Sequence, residues 1–558
     1  MRKVFLFVLI IFSCLNLSSQ NDDLYQLMKD RNEFYFSFEC TDLQSLQKIS
    51  DIVSIDKIDG NEVVAYANNQ EYEKFLTLGI RPTLLTPPSM LLNYKMYDKR
   101  TRAEYEWDKY PTYDAYEAMM YEYAENYSSK CSLIELGVLE SGRKILVIRI
   151  NNGEFDAKPK VLLSSTIHGD ETTGFVMMLR LIEELLTNES SPDVDNVINN
   201  IDLFICPNAN PDGTYKLGNH TVRGSTRYNA FGVDMNRNYP DRVKGSHPDG
   251  NDYALETEMF MRLAEDYQFT ISANYHGGAE LINYPWDNDL VRHVDDEWWL
   301  MVSRQYVDLV HGKDSDYMID RDNGVTNGAD WYKVYGGRQD YMNYYQQCRE
   351  MTVECSMIKC PPDNELPLYW EYNRDAIFAF VNQALNGIHG VVKDAETNQP
   401  LTATIRIIDY DEDYSVVESQ LPFGDFYRPV MTGTYAIEVS ADGYISTKEI
   451  VTIPENNNVY LDVKLMRETS SVESLKDNCC DDVVDIFPNP VKNVINIKTN
   501  SVNDIMGLVM YNSEGQVVMR YTSGDCVNKV DVAGVEKGLY FLIVNIGEKQ
   551  MVKKVVLE

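Results

Sequence analysis

Basic side chains are scarce in this chain, with 51 Lys and Arg against 86 Asp and Glu and a formal net charge of −35. That balance excludes a nucleic-acid partner, because phosphate binding recruits clustered Lys and Arg that release counterions. The acidic surplus serves solubility and, at longer range, attracts cationic substrates. Cysteine is also sparse, ten in 558 residues. Cys348, Cys355 and Cys360 lie close enough in sequence for a disulfide, whose pairing the sequence leaves open. No C-x-x-C pair accompanies them, so they do not resemble a zinc site. Long apolar runs are missing after the first fifteen residues, and no transmembrane helix is expected in the mature chain.

What is present starts with an export signal. Met1-Arg2-Lys3, an apolar block from Val4 to Leu15 and the polar Ser18-Ser19-Gln20 have the layout of a secretory signal peptide, taken as residues 1–20. A lipoprotein anchor at Cys14 is disfavoured by the bulky Phe12 just upstream. The length then suggests three or four units. Residues 21–98 read as a small α+β domain of βαββαβ pattern with a linker, either a pro-segment that covers a site or assists folding, or an ordinary accessory domain. Residues 99–387 alternate strands and helices as in an α/β domain on a mixed sheet. Residues 388–467 carry short strands between Gly, Pro, Asn and Asp turns, an all-β sandwich. A polar linker with Cys479-Cys480 (468–482) leads to a second all-β unit, 483–558.

The chemistry gathers in the α/β domain. His168-Gly169-Asp170-Glu171 sets an imidazole and a carboxylate at H-x-x-E spacing just beyond the apolar run Val161 to Ile167. Zinc takes N and O donors in a near-tetrahedral arrangement, and a catalytic site uses three protein ligands with a fourth position left for water. His276, at the end of the run from Phe269, is the candidate third ligand. Glu354, closing the apolar Thr352-Val353-Glu354, is the candidate base. These residues lie at or just after strand C-termini, where open α/β sheets tend to bind ligands.

Several further motifs follow in order: Asn210-Pro211-Asp212-Gly213; Arg227; Gly232-Val233-Asp234-Met235-Asn236-Arg237-Asn238; His276-Gly277-Gly278; Asn327-Gly328-Ala329-Asp330-Trp331-Tyr332; and Gly336-Gly337-Arg338-Gln339-Asp340. In this order they resemble the zinc metallocarboxypeptidases, particularly the regulatory branch that includes carboxypeptidases E, M, N and D, over roughly residues 110–467. The resemblance implies one zinc ion per catalytic domain, held by His168, Glu171 and His276, and Glu354 as general base. It implies Arg227 as the oxyanion cation and Asn236, Arg237 and Tyr332 as the grip on the substrate's free carboxylate. Arg suits that grip because its planar fork binds a carboxylate bidentately.

Asp287, eleven positions after His276, matches the residue that in this branch pairs with a C-terminal Lys or Arg, and Gln339 matches its helper. Arg338 departs from the pattern, standing where relatives usually carry Met; it is expected to point outward. The sandwich at 388–467 looks like the transthyretin-like domain of the same branch. The last unit is similar to the sorting domains of bacterial type IX secretion, through Phe487-Pro488-Asn489-Pro490, Asn512-Ser513-Glu514-Gly515, Gly538-Leu539-Tyr540 and Lys553-Lys554; an adhesion-type module is the other reading of this tail.

The sequence thus points to a secreted or cell-surface enzyme, exported through the periplasm by secretion machinery, acting on peptide or protein C-termini. The fold expected is a mixed-sheet zinc carboxypeptidase domain flanked by a small α+β domain and two all-β domains. A peptidoglycan stem-peptide carboxypeptidase and a catalytically silent adhesion protein of the same fold are the alternatives. No ligand or base is missing, which counts against the silent one.

Overall fold

A computed structural model describes residues 22–99, 105, 107–153, 157–188, 190–454, 458–468, 484–499, 505–512, 517–522, 529–546 and 549–558. The segment expected as an export signal, with Cys14, the expected linker from residue 469 with Cys479-Cys480, and Ser513-Glu514-Gly515 lie outside the described residues. The chain divides into two compact units, 1–468 and 469–558.

In the first unit, residues 34–84 follow the expected βαββαβ order: Phe34–Glu39, Leu43–Ser50, Ser54–Asp59, Glu62–Ala67, Asn69–Leu76 and Thr83–Leu84. The four strands form one sheet in which Ser54–Asp59 is an edge. Alternation along Phe34–Glu39 sends Phe34, Phe36 and Phe38 into a core with Tyr72 and Phe75. Asn68 and Glu71 close a capping box on the second helix, satisfying backbone N–H groups that a helix start leaves open.

The α/β region is built on eight strands in the spatial order Val325–Asn327, Glu280–Tyr284, Arg349–Cys355, Ile271–His276, Lys160–Ser165, Asp202–Cys206, Lys144–Ile150 and Cys131–Val138. The sheet is mixed, as expected. Its four central strands, Arg349–Cys355 through Asp202–Cys206, run parallel, and antiparallel pairs lie outside them. Val161, Leu163, Ala273 and Met351 face helices Tyr113–Asn126, Thr173–Thr187, Asp296–His311 and Leu366–Asn382 on one side. Leu162, Val147 and Phe204 face helices Leu255–Tyr267 and Arg338–Tyr345 on the other. Burial on both faces is why strands such as Lys144–Ile150 and Asp202–Cys206 carry largely apolar runs.

The helix after strand Lys160–Ser165 starts at Thr173. His168 to Glu171 form a turn before it, and that turn presents the ligand candidates. The short edge strands and the helices Pro192–Asn200 and Arg338–Tyr345 were not legible, since polar and aromatic residues interrupt their patterns.

From 387 onward three strands (Asp425–Arg428, Gly387–Asp394, Asn458–Leu465) and four (Val417–Glu418, Thr404–Ile407, Gly433–Ser440, Thr447–Ile453) face each other over a core that includes Ile388, Ile405, Ile437 and Val463. A buried ion cluster joins this sandwich to the α/β region. Asp295 accepts from Arg349 Nε and Nη2 at 3.2 and 3.0 Å and from Arg428 Nη1 and Nη2 at 3.1 and 2.8 Å. Arg428 also reaches Asp411 at 2.5 Å. The second unit has sheets of three and four described strands around Val484, Ile495, Leu508 and Leu542. No helix among the described residues is long and apolar enough to cross a membrane.

Asp295→Ala leaves Arg349 and Arg428 without their shared anion in a water-free setting. Urea unfolding at neutral pH should show a loss of about 3–5 kcal/mol, the usual cost of breaking a buried pair from one side.

Candidate metal centre and active site

Strand register brings the ligand and base candidates together. His276 and Glu354 close neighbouring parallel strands and stand directly opposite one another. His168 and Glu171 come from the turn after the adjoining strand, Lys160–Ser165. Gly169 in that turn has no room for a side chain: a Cβ would stand 2.4 Å from the carbonyl carbon of Gly213 and 2.5 Å from the nitrogen of Thr214. The Asn210-Pro211-Asp212-Gly213 motif is therefore the bed on which the metal-binding turn rests. Asn210 fastens it, donating to Ile167 O and Arg227 O at 3.2 and 3.3 Å and accepting from Gly213 N at 2.8 Å.

His168, Glu171 and His276 are buried, and their candidate ligand atoms lie within 4.8 Å of one another. Nδ1 of His168 lies 2.9 Å from Glu171 Oε1, and Nδ1 of His276 lies 2.8 Å from Oε2. The far nitrogens are anchored elsewhere, His168 Nε2 at 3.2 Å from Asp234 Oδ1 and His276 Nε2 at 2.7 Å from the Asn274 amide. Such outer partners fix ring orientation in metal sites. Burial holds the His276 imidazole down to about 4 against the pull of Glu171, so it is neutral, as a ligand must be. Burial opposes the charge of Glu171, yet His168, Lys359 and His276 around it hold its carboxyl well below the usual range.

The donor set, two neutral imidazoles and a carboxylate, fits zinc. Beside it the buried Oε2 of Glu354 has no hydrogen-bond partner, an orphan suited to a water molecule. Burial first, and Glu171 second, push the Glu354 carboxyl up to about 8, with Lys359 and Arg227 opposing.

His168, Glu171, Arg227, Asn236, Arg237, His276, Asp287, Tyr332 and Glu354 all line one cavity. Arg227 donates from Nε to Asp234 Oδ2 at 2.8 Å, and its Nη1 lies 3.3 Å from His168 Nδ1. Asn236 and Arg237 sit on a short helical turn, Met235–Arg237, capped by Asp234. Gln339 is not part of the lining but donates to Asp287 Oδ1 at 3.0 Å. Asn283 donates to the same oxygen at 3.0 Å, and Gly328 leaves space for it, since a Cβ there would stand 1.8 Å away. Asp287 Oδ2 faces Gly337, whose missing Cβ would lie 3.5 Å off. Burial pushes the Asp287 carboxyl up to about 6, opposed by the Asn283 hydrogen bond and Arg237.

Two expectations are corrected. Arg338 does not point outward: it is 1% exposed, forks onto Glu350 with two bonds of 3.0 Å and lies over the Phe260 ring. Its helix packs onto the core face of the sheet, and the buried Glu350 neutralises it, so no unpaired cation is added beside Asp287. Cys348, Cys355 and Cys360 form no disulfide; each is a buried free thiol, Cys348 bonded to Ser272 and Cys355 to the His276 carbonyl.

Sequence reasoning also missed residues. Lys359 is buried 2.5 Å from Glu171 Oε1 and 3.2 Å from Asp56, and nothing in its neighbourhood signalled it. Asp234 stood unassigned within a motif already noted. Asn283 precedes Asp287 by one helical turn's spacing but lies on a strand. The N-terminal region closes over these groups: Ile55 and Asp56 line the cavity, Ile55 O accepts from Tyr332 OH at 3.1 Å, Glu33 accepts from Arg227 N at 2.6 Å, and Gln47 brackets Lys333 through its N–H and C=O.

Residues 116–376 match the zinc carboxypeptidase family, and residues 485–558 match the secretion system C-terminal sorting domain. Carboxypeptidase SOL1 of Arabidopsis thaliana is 32% identical over 385 residues, covering 67% of this chain and 75% of that one. Carboxypeptidase D of Anas platyrhynchos is 32% identical over 381 residues, 64% of this chain. The chain spans only 27% of that longer relative's length. The carboxypeptidase A structure from Helicoverpa armigera shares the fold, with a TM-score of 0.50 at 18% identity over 63% of this chain and 97% of that one. The chain belongs to the zinc carboxypeptidase family, on the side of the D, E and M relatives, and carries a C-terminal sorting domain.

Two substitutions probe the site's supports. Gly169→Ala drives a methyl group into backbone that cannot yield; the zinc dissociation constant, measured by competition with a chelating dye, should rise at least about tenfold, as losing ligand support costs 10–100-fold. Arg338→Met strands the buried Glu350 and should cost about 3–5 kcal/mol in urea unfolding, while adding Glu350→Met should recover most of it.

Proposed function

We propose that the protein is an exported zinc carboxypeptidase that removes C-terminal Lys or Arg from peptides and proteins. The observation that carries this reading is one cavity lined both by the His168, Glu171 and His276 set and by Arg237 and the half-satisfied Asp287. A zinc ion held by the three ligands supplies Lewis acidity at the scissile carbonyl and eases deprotonation of water. The chain's own residues do the rest.

Glu354 takes the proton of the attacking water and returns it to the departing amine. Its raised carboxyl suits that exchange. Arg227, aligned by Asp234, stabilises the oxygen that gains charge. Asn236, Arg237 and Tyr332 hold the terminal carboxylate, which restricts cleavage to the last residue. Asn236 Oδ1 is already engaged by Arg338 N at 2.9 Å, turning the amide N–H₂ to the substrate. Asp287, with Oδ1 held by Asn283 and Gln339, offers Oδ2 to a basic side chain. Leaving that buried carboxylate unpaired is costly, which favours a cationic terminal residue.

The N-terminal region is a pro-segment that covers the cavity in this reading, supported by its contacts with Tyr332, Arg227 and Lys359. The 388–467 sandwich corresponds to the transthyretin-like domain. Export proceeds through the periplasm under the sorting domain.

Release of Arg, Phe and diaminopimelate from otherwise matched substrates tests the specificity. Arg should lead, and Asp287→Ala should abolish the lead. Better release of Phe overturns the basic pocket, and better release of diaminopimelate points to peptidoglycan. Glu354→Gln should retain stoichiometric zinc while losing about 10²–10⁴ in kcat, the range of general acid–base catalysis. Because the Asp287 carboxyl is pushed up to about 6, it loses its charge as pH falls through that value; kcat/KM for a C-terminal Arg substrate should fall there. A C-terminal Ala substrate should lack that limb.

A further inference from the structure

The side-chain pocket is assembled from two elements that are not consecutive in the chain. Asp287 follows Trp286 in the loop after strand Glu280–Tyr284, and Gln339 and Asp340 belong to helix Arg338–Tyr345. The two are bonded directly, through Gln339 to Asp287 Oδ1 and through the Asp340 carboxylate, which accepts from Asp287 N at 3.0 and 3.1 Å and from Asn288 N at 3.0 Å. Behind this junction stands a ring from a different domain. Tyr414 of the sandwich packs edge-on to Trp286 with centroids 5.1 Å apart and stacks on Tyr344 of the Gln339 helix at 5.9 Å. It also meets the His293 ring at 5.1 Å, and its hydroxyl accepts from Val294 N at 3.2 Å.

Trp286 has little freedom of its own. It is 1% exposed, with the Arg242 guanidinium 4.3 Å from its centroid and His293 at 4.9 Å. The sandwich loop bearing Tyr414 is itself pinned, since Ser415 O accepts from Arg349 Nη2 at 2.7 Å and Arg428 meets Asp295. A single rigid ring thus touches both walls of the pocket from outside it, and close packing transmits its position to them.

We propose that Tyr414 is a positioning residue for the specificity pocket: by packing on Trp286 and Tyr344 together, the sandwich sets the separation of Asp287 from Gln339. The sandwich is then part of what selects the terminal residue. This rests on the reading that Asp287 lies at the end of the side-chain pocket.

The test compares wild type, Tyr414→Phe, Tyr414→Leu and Tyr414→Ala in the active enzyme on peptides ending in Arg and in Ala. Tyr414→Ala should raise KM for the Arg substrate about tenfold, a fraction of the roughly hundredfold that a full 1 Å misplacement can cost, with kcat and zinc content unchanged. The Ala substrate, which leaves the pocket empty, should be unaffected. Tyr414→Phe keeps the ring and should match wild type. Tyr414→Leu, which keeps bulk but not the flat ring, should follow Tyr414→Ala and gives the same readout if Tyr414→Ala does not fold. A purely structural role would lower the melting temperature and leave KM alone. Unchanged KM for Arg, or equal losses on both substrates, overturns the proposal. If wild type prefers a residue other than Lys or Arg, the basic-pocket reading fails separately. Tyr414 is then judged by whether its removal erodes the ratio of that preferred residue to Ala.

Discussion

The structure turns on one buried carboxylate. Glu171 lies between the Nδ1 atoms of His168 and His276, with the Lys359 ammonium against Oε1. An ionised carboxylate taken out of water is tolerated only with compensating charge and hydrogen bonds, and the surrounding residues supply them in layers. Asp234 answers both His168 and Arg227, and Asp56 of the N-terminal region answers Lys359. A set of donors prepared for a cation is thus held in a charge-balanced interior, and the catalytic and substrate-binding candidates stand within the same web.

The backbone makes that arrangement possible. Four central parallel strands end on one side of the sheet, so His276, Glu354 and the turn after Ser165 emerge together. The remaining groups arrive on loops whose courses are set by close backbone contact, as at Gly169 against Gly213, or by amide anchors such as Asn210. Rigid contacts of this kind let loops carry chemistry while holding the precision of a sheet. Towards the side-chain pocket, buried charges are again matched by opposite ones: Arg338 by Glu350, and Arg349 and Arg428 by Asp295. The second of these ties the sandwich to the same strand that carries Glu354.

Much of this was legible from the chain. The strands at 144–150, 160–165 and 202–206 are buried on both faces and carry largely apolar runs. The metal candidates could be named from H-x-x-E spacing and from His276 at a strand end, because such positions follow from local pattern. Arg338 was misjudged for a different reason. A lone cation among polar residues suggests a solvent-facing side chain, and its partner Glu350 stands on another element whose approach local sequence cannot reveal. The cysteines near 355 were close in number yet face different neighbours. Lys359 carried no pattern at all.

By itself, then, the sequence determined the apolar strands, the ligand and base candidates and the sorting tail, since each rests on composition or on spacing within one element. Tertiary structure alone decided the charge partners of Arg338 and Glu171, the double anchoring of Asp287 by Asn283 and Gln339, the cover supplied by Ile55 and Asp56, and the reach of Tyr414 from the sandwich to the pocket. Those depend on which elements meet across tens or hundreds of residues, and the energies that select such meetings belong to the packed fold rather than to any stretch of chain.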